Sequence, residues 1–257
     1  MDDAQLTRYS RHILLEALGV EAQQAWLQAT VLVVGLGGLG SPAAMYLASA
    51  GIGRLVLADG DTVDATNLQR QIVHREQSIG RRKVDSAAET LRAINPAVAI
   101  ECIGERLGGE ALAAQVARAD VVLDCSDNFA TRYALNDACA AAGTPLVSGA
   151  GVGFDGQLSV FDFRREGGPC YRCLFPEDLR AEETRCAVMG VFAPLVGAVG
   201  TLQAGEALKL LAGAGTSLHG RLLLVDALRA EMRTLELPPD PECPLCRARR
   251  GEPPRQA

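Results

Sequence analysis

The sequence predicts an α/β fold: a Rossmann-like, mostly parallel sheet with helices on both faces, an antiparallel C-terminal extension and a four-cysteine zinc site. Three features point to it. Val31-Leu32-Val33-Val34 runs straight into Gly35-x-Gly37-x-x-Gly40 and then a small-residue helical segment. Strand, glycine turn and helix together form the context in which this motif binds a phosphate, because the missing Cβ atoms let backbone N–H groups and a helix N-terminus close on it. Downstream, strand-like and helix-like runs alternate as far as Ser148, the pattern of βα units in a parallel sheet. Two C-x-x-C pairs, Cys170/Cys173 and Cys243/Cys246, supply a tetrahedral thiolate set.

The bulk numbers fit such a chain. At 257 residues, 48% hydrophobic and 22% charged, it has the composition of a globular protein at the upper edge of one domain. We expect a single domain over 1–257, with a nucleotide-binding half at 1–149 and a zinc-bearing half at 150–257. A net charge of −6 argues against a general nucleic-acid or anionic-membrane binder. Met1-Asp2-Asp3 is acidic and no apolar leader follows, so a cytoplasmic protein is expected. The uncharged stretch Cys186 to Gly205 approaches the length of a membrane span, but Pro194, Thr201, Gln203 and several glycines interrupt it. A buried helix from Pro194 to Leu211 is expected instead.

Taken in order, an amphipathic helix runs to about Leu27, carrying Arg8 and Arg11 on a face that spacing alone makes solvated. The glycine turn leads to a helix over Pro42 to Ala50, which Gly51-Ile52-Gly53 ends. Arg54 to Ala58 is the second strand, delivering Asp59 about 20 residues past the glycines, where a carboxylate commonly holds ribose hydroxyls. Asn67-Leu68-Gln69-Arg70-Gln71 is a polar loop. Arg81-Arg82-Lys83 opens a helix reaching Ile94, although cations oppose the dipole there. An anion held between them and the glycine turn would explain the placement; a solvated charge run is the plain alternative. Val98 to Cys102 and Asp120 to Asp124 are the third and fourth strands, the latter leading to Cys125-Ser126-Asp127-Asn128. Helices over Glu110 to Arg118 and Ala130 to Ala141 and a strand at Pro145 to Ser148 complete the parallel part. Gly156 to Phe163 alternates like an antiparallel strand, Arg164 to Met189 is long and polar enough for a functional loop, and Leu222 to Val225 and Met232 to Leu237 close the sheet.

Four thiolates would close the zinc shell and leave no position for catalysis. Cys102, Cys125 and Cys139 fall on apolar positions as small core residues. Cys186 sits in the polar loop beside Arg185 and is either an incidental thiol or a nucleophile or sulfur acceptor. No nucleophile elbow is present, and His12, His74 and His219 have no evident triad partners. The inventory is a nucleotide turn, a ribose-type carboxylate, Arg70 and Lys83 for phosphate charge, and Asp127 for Mg²⁺. It suits attack by an anion on a nucleoside triphosphate, where positioned cations and a metal lower the repulsion between two anions.

Gly35-x-Gly37-Gly38-Leu39-Gly40, Asp59, Asn67 to Gln71, Lys83, Cys125 to Asn128 and the paired C-x-x-C motifs together resemble the ThiF/MoeB/HesA family, bacterial relatives of the ubiquitin-activating enzymes. The resemblance runs from about Arg8 to Cys246. It implies a homodimeric adenylyltransferase that uses ATP and Mg²⁺ to activate the C-terminal Gly-Gly of a ubiquitin-like sulfur carrier for thiocarboxylate formation. By position, Gly38 would lie against the phosphates and Asp59 would bind ribose. Asn67, Arg70 and Lys83 would hold the triphosphate, with Asp127 on Mg²⁺ and Asn128 beside it. Arg11 would reach across the dimer interface into the partner's site, which replaces the solvated-face expectation. Cys170, Cys173, Cys243 and Cys246 would hold zinc, and Cys186 matches a loop cysteine that ThiF-type members use in sulfur transfer.

The stretch Leu146 to Ala150 resembles MoeB, implying a MoaD-type carrier in molybdopterin synthesis. Thr7 to Ile13 and Val152-Gly153-Phe154 resemble ThiF, implying the same reaction on a ThiS-type carrier in thiazole synthesis. No rhodanese segment is appended, so a separate sulfur donor, a cysteine desulfurase or a rhodanese, is expected. An NAD-dependent oxidoreductase would use the glycine turn and Asp59 but leave Arg70, Lys83 and the cysteine pairs idle. A non-catalytic carrier-binding scaffold would turn over no ATP.

Overall fold

The computed structural model describes residues 1–176 and 190–251. Helix α1 (Asp3–Ile13) starts at a capping box in which Asp2 and Gln5 satisfy each other's backbone N–H groups. Helix α2 (Gly19–Gln28) follows after a break at Leu14 to Leu18, so the single N-terminal helix expected from periodicity is two. Gly19 at φ +66 turns the chain in the break, where an L side chain would be strained.

Strands β1 (Thr30–Val34), β2 (Arg54–Ala58), β3 (Ala99–Ile103), β4 (Val121–Asp124) and β5 (Leu146–Val152) form the parallel part of an eight-stranded sheet. Strands β6 (Asp155–Phe161), β7 (Arg221–Asp226) and β8 (Glu231–Glu236) extend it antiparallel, in the order β3-β2-β1-β4-β5-β6-β7-β8. Helices α3 (Gly40–Ala50), α4 (Lys83–Ile94), α5 (Gly109–Ala117) and α6 (Phe129–Ala142) make the crossovers. The short helices α7 (Tyr171–Leu174) and α9 (Pro244–Arg249) flank the long α8 (Ala193–Ala212).

The unbroken apolar run in β1 is explained by what lies above and below it. Val31 and Val33 join one core with Trp26, Leu47, Ala87 and Val199, from α2, α3, α4 and α8. Leu32 and Val34 join a second core on the opposite face with Leu112, Leu135 and Tyr171, from α5, α6 and α7. Successive strand side chains point to opposite faces, so a strand covered on both sides must be apolar at every position. By contrast every residue of β8 is exposed and β7 is only half-buried.

Helix α8 is long and apolar enough to cross a membrane by length and composition, yet it packs as a core helix. Its Gln203 is wholly buried and donates to the carbonyls of Asp124 (2.7 Å) and Val147 (3.2 Å). Glu206, also buried, accepts from Leu218 N at 2.8 Å and pairs with Lys209.

Candidate nucleotide site and cysteine cluster

The strand order reverses between β1 and β4, the kind of switch point at which the outgoing loops of an open parallel sheet form a ligand-binding crevice at its carboxyl edge. The glycine loop forms one wall. Gly35 has φ +92, and a Cβ there would stand 2.6 Å from Cys125 O on the other wall. A Cβ on Gly40 would lie 1.9 Å from Gly35 O, so a side chain at either position would force the loop apart. Among the described residues no side chain caps α3 at its N-cap Leu39, but Ser41 N donates to Gly37 O at 3.0 Å and Pro42 has no N–H, so a ligand would meet the glycine-loop amides rather than the helix's first turn.

The Asn67–Gln71 loop lies over the glycines. Arg70 Cδ would be 3.6 Å from a Cβ on Gly38, and Gln71 Nε2 3.7 Å from one on Gly37. Arg70 donates from Nη1 to Thr66 O at 3.0 Å. Asn67 closes its own turn by accepting from Asp64 N at 3.2 Å. Gln71 is buried, and among the described residues nothing bonds its Oε1, a polar atom beside the glycine loop that a bound molecule could satisfy. Asp59 braces the loop from below, accepting from Leu36 N (2.7 Å) with one oxygen and from Asp61 N (2.8 Å) with the other. Each oxygen keeps a lone pair for a hydroxyl donor.

The three cations at the start of α4 separate. Lys83 is buried and pairs with Asp61 at 3.0 Å. Arg81 and Arg82 instead turn outward to Glu89 (2.6 Å) and Asp85 (2.6 and 3.0 Å). The cluster of three expected around one anion is therefore one lysine: the helix supplies its own acids to the two arginines. His74 is a brace that sequence reasoning did not find. Its Nε2 lies 3.1 Å from Leu36 O and its Nδ1 3.0 Å from Ser86 Oγ. A carbonyl can only accept, so the proton sits on Nε2 and Nδ1 accepts from the serine. Burial, joined by the Lys83 charge, lowers the pKa of His74 and keeps the ring neutral.

The opposite wall leaves β4 through Asp124, which is wholly buried. Asp124 accepts from Ser126 N (3.1 Å), Ser126 Oγ (2.6 Å) and Ser148 Oγ (2.7 Å). Arg132 of α6, also buried, donates from Nη2 to Ser126 O at 2.8 Å. Burial opposes its charge, but Asp124, Tyr171 and Asp127 together outweigh this and lift its pKa. Neither Asp124 nor Arg132 stood out in the sequence; an aspartate ending an apolar strand and an arginine in the first turns of a mostly apolar helix were the available signals. Asp127 is exposed at the crevice and accepts from Asn128 Nδ2 at 3.4 Å. Asn128 caps α6 by accepting from Thr131 N at 2.9 Å. One exposed carboxylate fits Mg²⁺, which usually takes one or two protein carboxylates and completes its shell with phosphates and water.

On the face of the sheet that carries α5 and α6, the four knuckle cysteines converge. Their sulfurs all lie within 4.8 Å of one another. The Cys170–Cys243 and Cys173–Cys246 separations are 3.5 Å and Cys170–Cys173 is 3.9 Å. A tetrahedral zinc with ordinary Zn–S bonds requires S···S of about 3.8 Å, close to these separations, so the donor set suits the metal. The hydrogen bonds among the four thiols, those of Cys170 first, lower the pKa values of Cys173 and Cys243, while Cys170 and Cys246 are raised, so two of the four ionise more readily than the others. The cluster is fastened to α6, where Asn136 Oδ1 accepts from Tyr171 N at 2.7 Å and Asp137 pairs with Arg172 at 2.6 Å. Cys125 and Cys139 are buried core residues and Cys102 is half-buried. Cys186 lies outside the described residues.

Arg11 is exposed on α1. Tyr9 of the same helix is anchored by Asn95 (2.9 Å) and covers Gly51, at the amino ends of β3 and β2. Within one chain, then, Arg11 is held at the edge of the sheet away from the crevice.

The ThiF family model matches residues 9–245 of this chain. The chain belongs to the ThiF family. It is 48% identical over 253 residues to the sulfur carrier protein ThiS adenylyltransferase of Escherichia coli, covering 98% of this chain and 100% of that protein. It is 45% identical over 249 residues to the molybdopterin-synthase adenylyltransferase of the same organism, covering 96% and 98%. Among solved structures, E. coli MccB with ATP superposes with a TM-score of 0.81 at 21% identity, covering 93% of this chain and 73% of that one. At that identity the likeness is one of fold.

Proposed function

We propose that this ThiF-family chain is an ATP-dependent adenylyltransferase that activates the C-terminal Gly-Gly carboxylate of a ubiquitin-like sulfur carrier. The carboxylate attacks the α-phosphorus of ATP, the bond to the β-phosphate oxygen breaks, and carrier acyl-adenylate and pyrophosphate result. The observation that carries the proposal is the β1/β4 switch point, where Arg70 lies against Gly38 of the glycine loop and the chain leading to the exposed Asp127 passes Gly35 at Cys125. Full-length similarity to two adenylyltransferases of this family supports the same chemistry.

The nucleophile is already ionised at neutral pH, so no general base is required. Gly35, Gly37, Gly38 and Gly40 let the backbone approach the phosphates, and Asp59 takes the ribose hydroxyls. Asn67, Arg70 and Lys83 neutralise and orient the triphosphate. Asp127, with Asn128 beside it, holds Mg²⁺, which when bound offsets charge on the phosphate oxygens. Arg11 acts in the site of a second copy, in a homodimer. Cys170, Cys173, Cys243 and Cys246 hold a structural zinc in the carrier-binding half, 150–257. Cys186 serves the later sulfur transfer from a separate donor, a cysteine desulfurase or rhodanese.

A MoaD-type carrier is the first candidate on the Leu146–Ala150 stretch. A ThiS-type carrier is the second, favoured by the 48% identity over the full length of a ThiS adenylyltransferase. ATP–pyrophosphate exchange with Mg²⁺ and each carrier in turn tests the proposal. Exchange that depends on a carrier supports it, and the carrier that works names the pathway. Absence of exchange with both, from folded zinc-loaded protein, refutes it.

A further inference from the structure

The Asp127 carboxylate sits on a loop, but a loop held unusually firmly for one at a sheet edge. Ser126, the residue before it, has every polar group engaged. Its N–H and Oγ–H both donate to Asp124 (3.1 and 2.6 Å), and its carbonyl accepts from Arg132 at 2.8 Å. Asn128, the residue after it, is fixed as the cap of α6, and its carbonyl accepts from Arg132 N at 3.3 Å. Arg132 therefore grips both neighbours of Asp127, one through its side chain and one through its backbone. Below, the Arg132 guanidinium rests over the Tyr171 ring, 6.0 Å from its centroid.

Both charges in this arrangement are buried, which costs desolvation that apolar residues of similar size would avoid. Polar networks of this kind contribute conformational definition more than stability, and here the definition falls on one exposed carboxylate. We propose that Arg132 and Ser126 are positioning residues that set the approach of the Asp127 carboxylate to the nucleotide-bound metal ion. This rests on the adenylation reading above.

The test combines Arg132→Met, Arg132→Lys and Ser126→Ala. Hydrogen exchange in the free protein reads the loop directly: Arg132→Met speeds exchange of the amides at 125–129 and leaves those of β1 and α3 at wild-type protection. In ATP–pyrophosphate exchange, Arg132→Met raises the Mg²⁺ concentration for half-maximal rate about tenfold, as loss of a partner that orients a metal-binding group commonly does. The rate at saturating Mg²⁺ and the KM for ATP change far less. Arg132→Lys, which retains one donor for the Ser126 carbonyl, restores most of the Mg²⁺ response. Ser126→Ala keeps the backbone and shifts the half-maximal Mg²⁺ in the same direction by a smaller factor, so it tests the clamp even if Arg132→Met does not fold. Wild-type Mg²⁺ response and wild-type exchange at 125–129 in Ser126→Ala and in any folded Arg132 variant would overturn the proposal, whatever happens to the melting temperature. A wild-type protein without carrier-dependent exchange would overturn the adenylation reading, and this proposal with it.

Discussion

The nucleotide crevice and the four-cysteine cluster lie on the same chain and are specified in opposite ways. In the cluster the ligands themselves hold the geometry: four sulfurs within 4.8 Å, ready for one metal, fasten residues near 170 to residues near 245. In the crevice the backbone holds the geometry, and the chemistry-bearing side chains lean on partners that never meet a ligand. Asp59 is tied by Leu36 and Asp61, Lys83 by Asp61, and Asp127 through Ser126 and Asn128 by Asp124 and Arg132. A cluster of the first kind should fail by unfolding locally. A crevice of the second kind should fail by losing rate while the fold survives.

The largest effect should come from the cluster. Cys243→Ser, or removal of zinc by a strong chelator, should cost about 3–5 kcal/mol of stability, read by thermal or urea unfolding, because three buried thiols and the half-buried Cys173 would lose the ion that justifies their burial. A melting temperature unchanged by chelation would break the contrast at its root. Next, Asp127→Ala should leave unfolding unchanged, since the side chain is exposed, but slow ATP–pyrophosphate exchange by about 10²–10³. Loss of stability without loss of rate would reverse the roles of the two regions.

A smaller effect concerns His74. Its folded-state pKa lies below the ordinary imidazole value, so the unfolded chain takes up a proton first as pH falls. The stability from its neutral ring is fully present above about pH 6.5 and is lost below it. Unfolding measured from pH 7.5 to 5 should show this loss, and His74→Gln should flatten it; His219, lowered mainly by burial, accounts for the part that persists. The smallest effect is the sharpest control. Arg82→Ala should change neither exchange rate nor stability measurably, because its exposed pair with Asp85 is screened by water, whereas Lys83→Ala should slow exchange.

These contrasts mark what could be read from the residues alone. The parallel strands were legible because β1, β2 and β4 are apolar at consecutive positions, as burial on both faces demands. The cluster was legible because C-x-x-C spacing already brings two sulfurs together. Fates that depend on where a side chain turns were not. Arg81, Arg82 and Lys83 read as one cationic group, yet acids at 85 and 89 claim the two arginines. The break at Leu14 to Leu18 was hidden because apolar residues continue through it. Asp124, Arg132 and His74 were passed over because what they hold depends on partners such as Ser148 on β5, Ser126 ahead of α6 and Ser86 on α4, which no element's own periodicity records.

The most direct test of adenylation is the intact mass of a Gly-Gly carrier after incubation with this protein, ATP and Mg²⁺, with pyrophosphate removed. The account predicts a carrier heavier by one AMP moiety, its formation strongly slowed by Asp127→Ala and abolished when the C-terminal glycine is deleted. A carrier of unchanged mass, with MoaD-type and ThiS-type proteins alike, would contradict it.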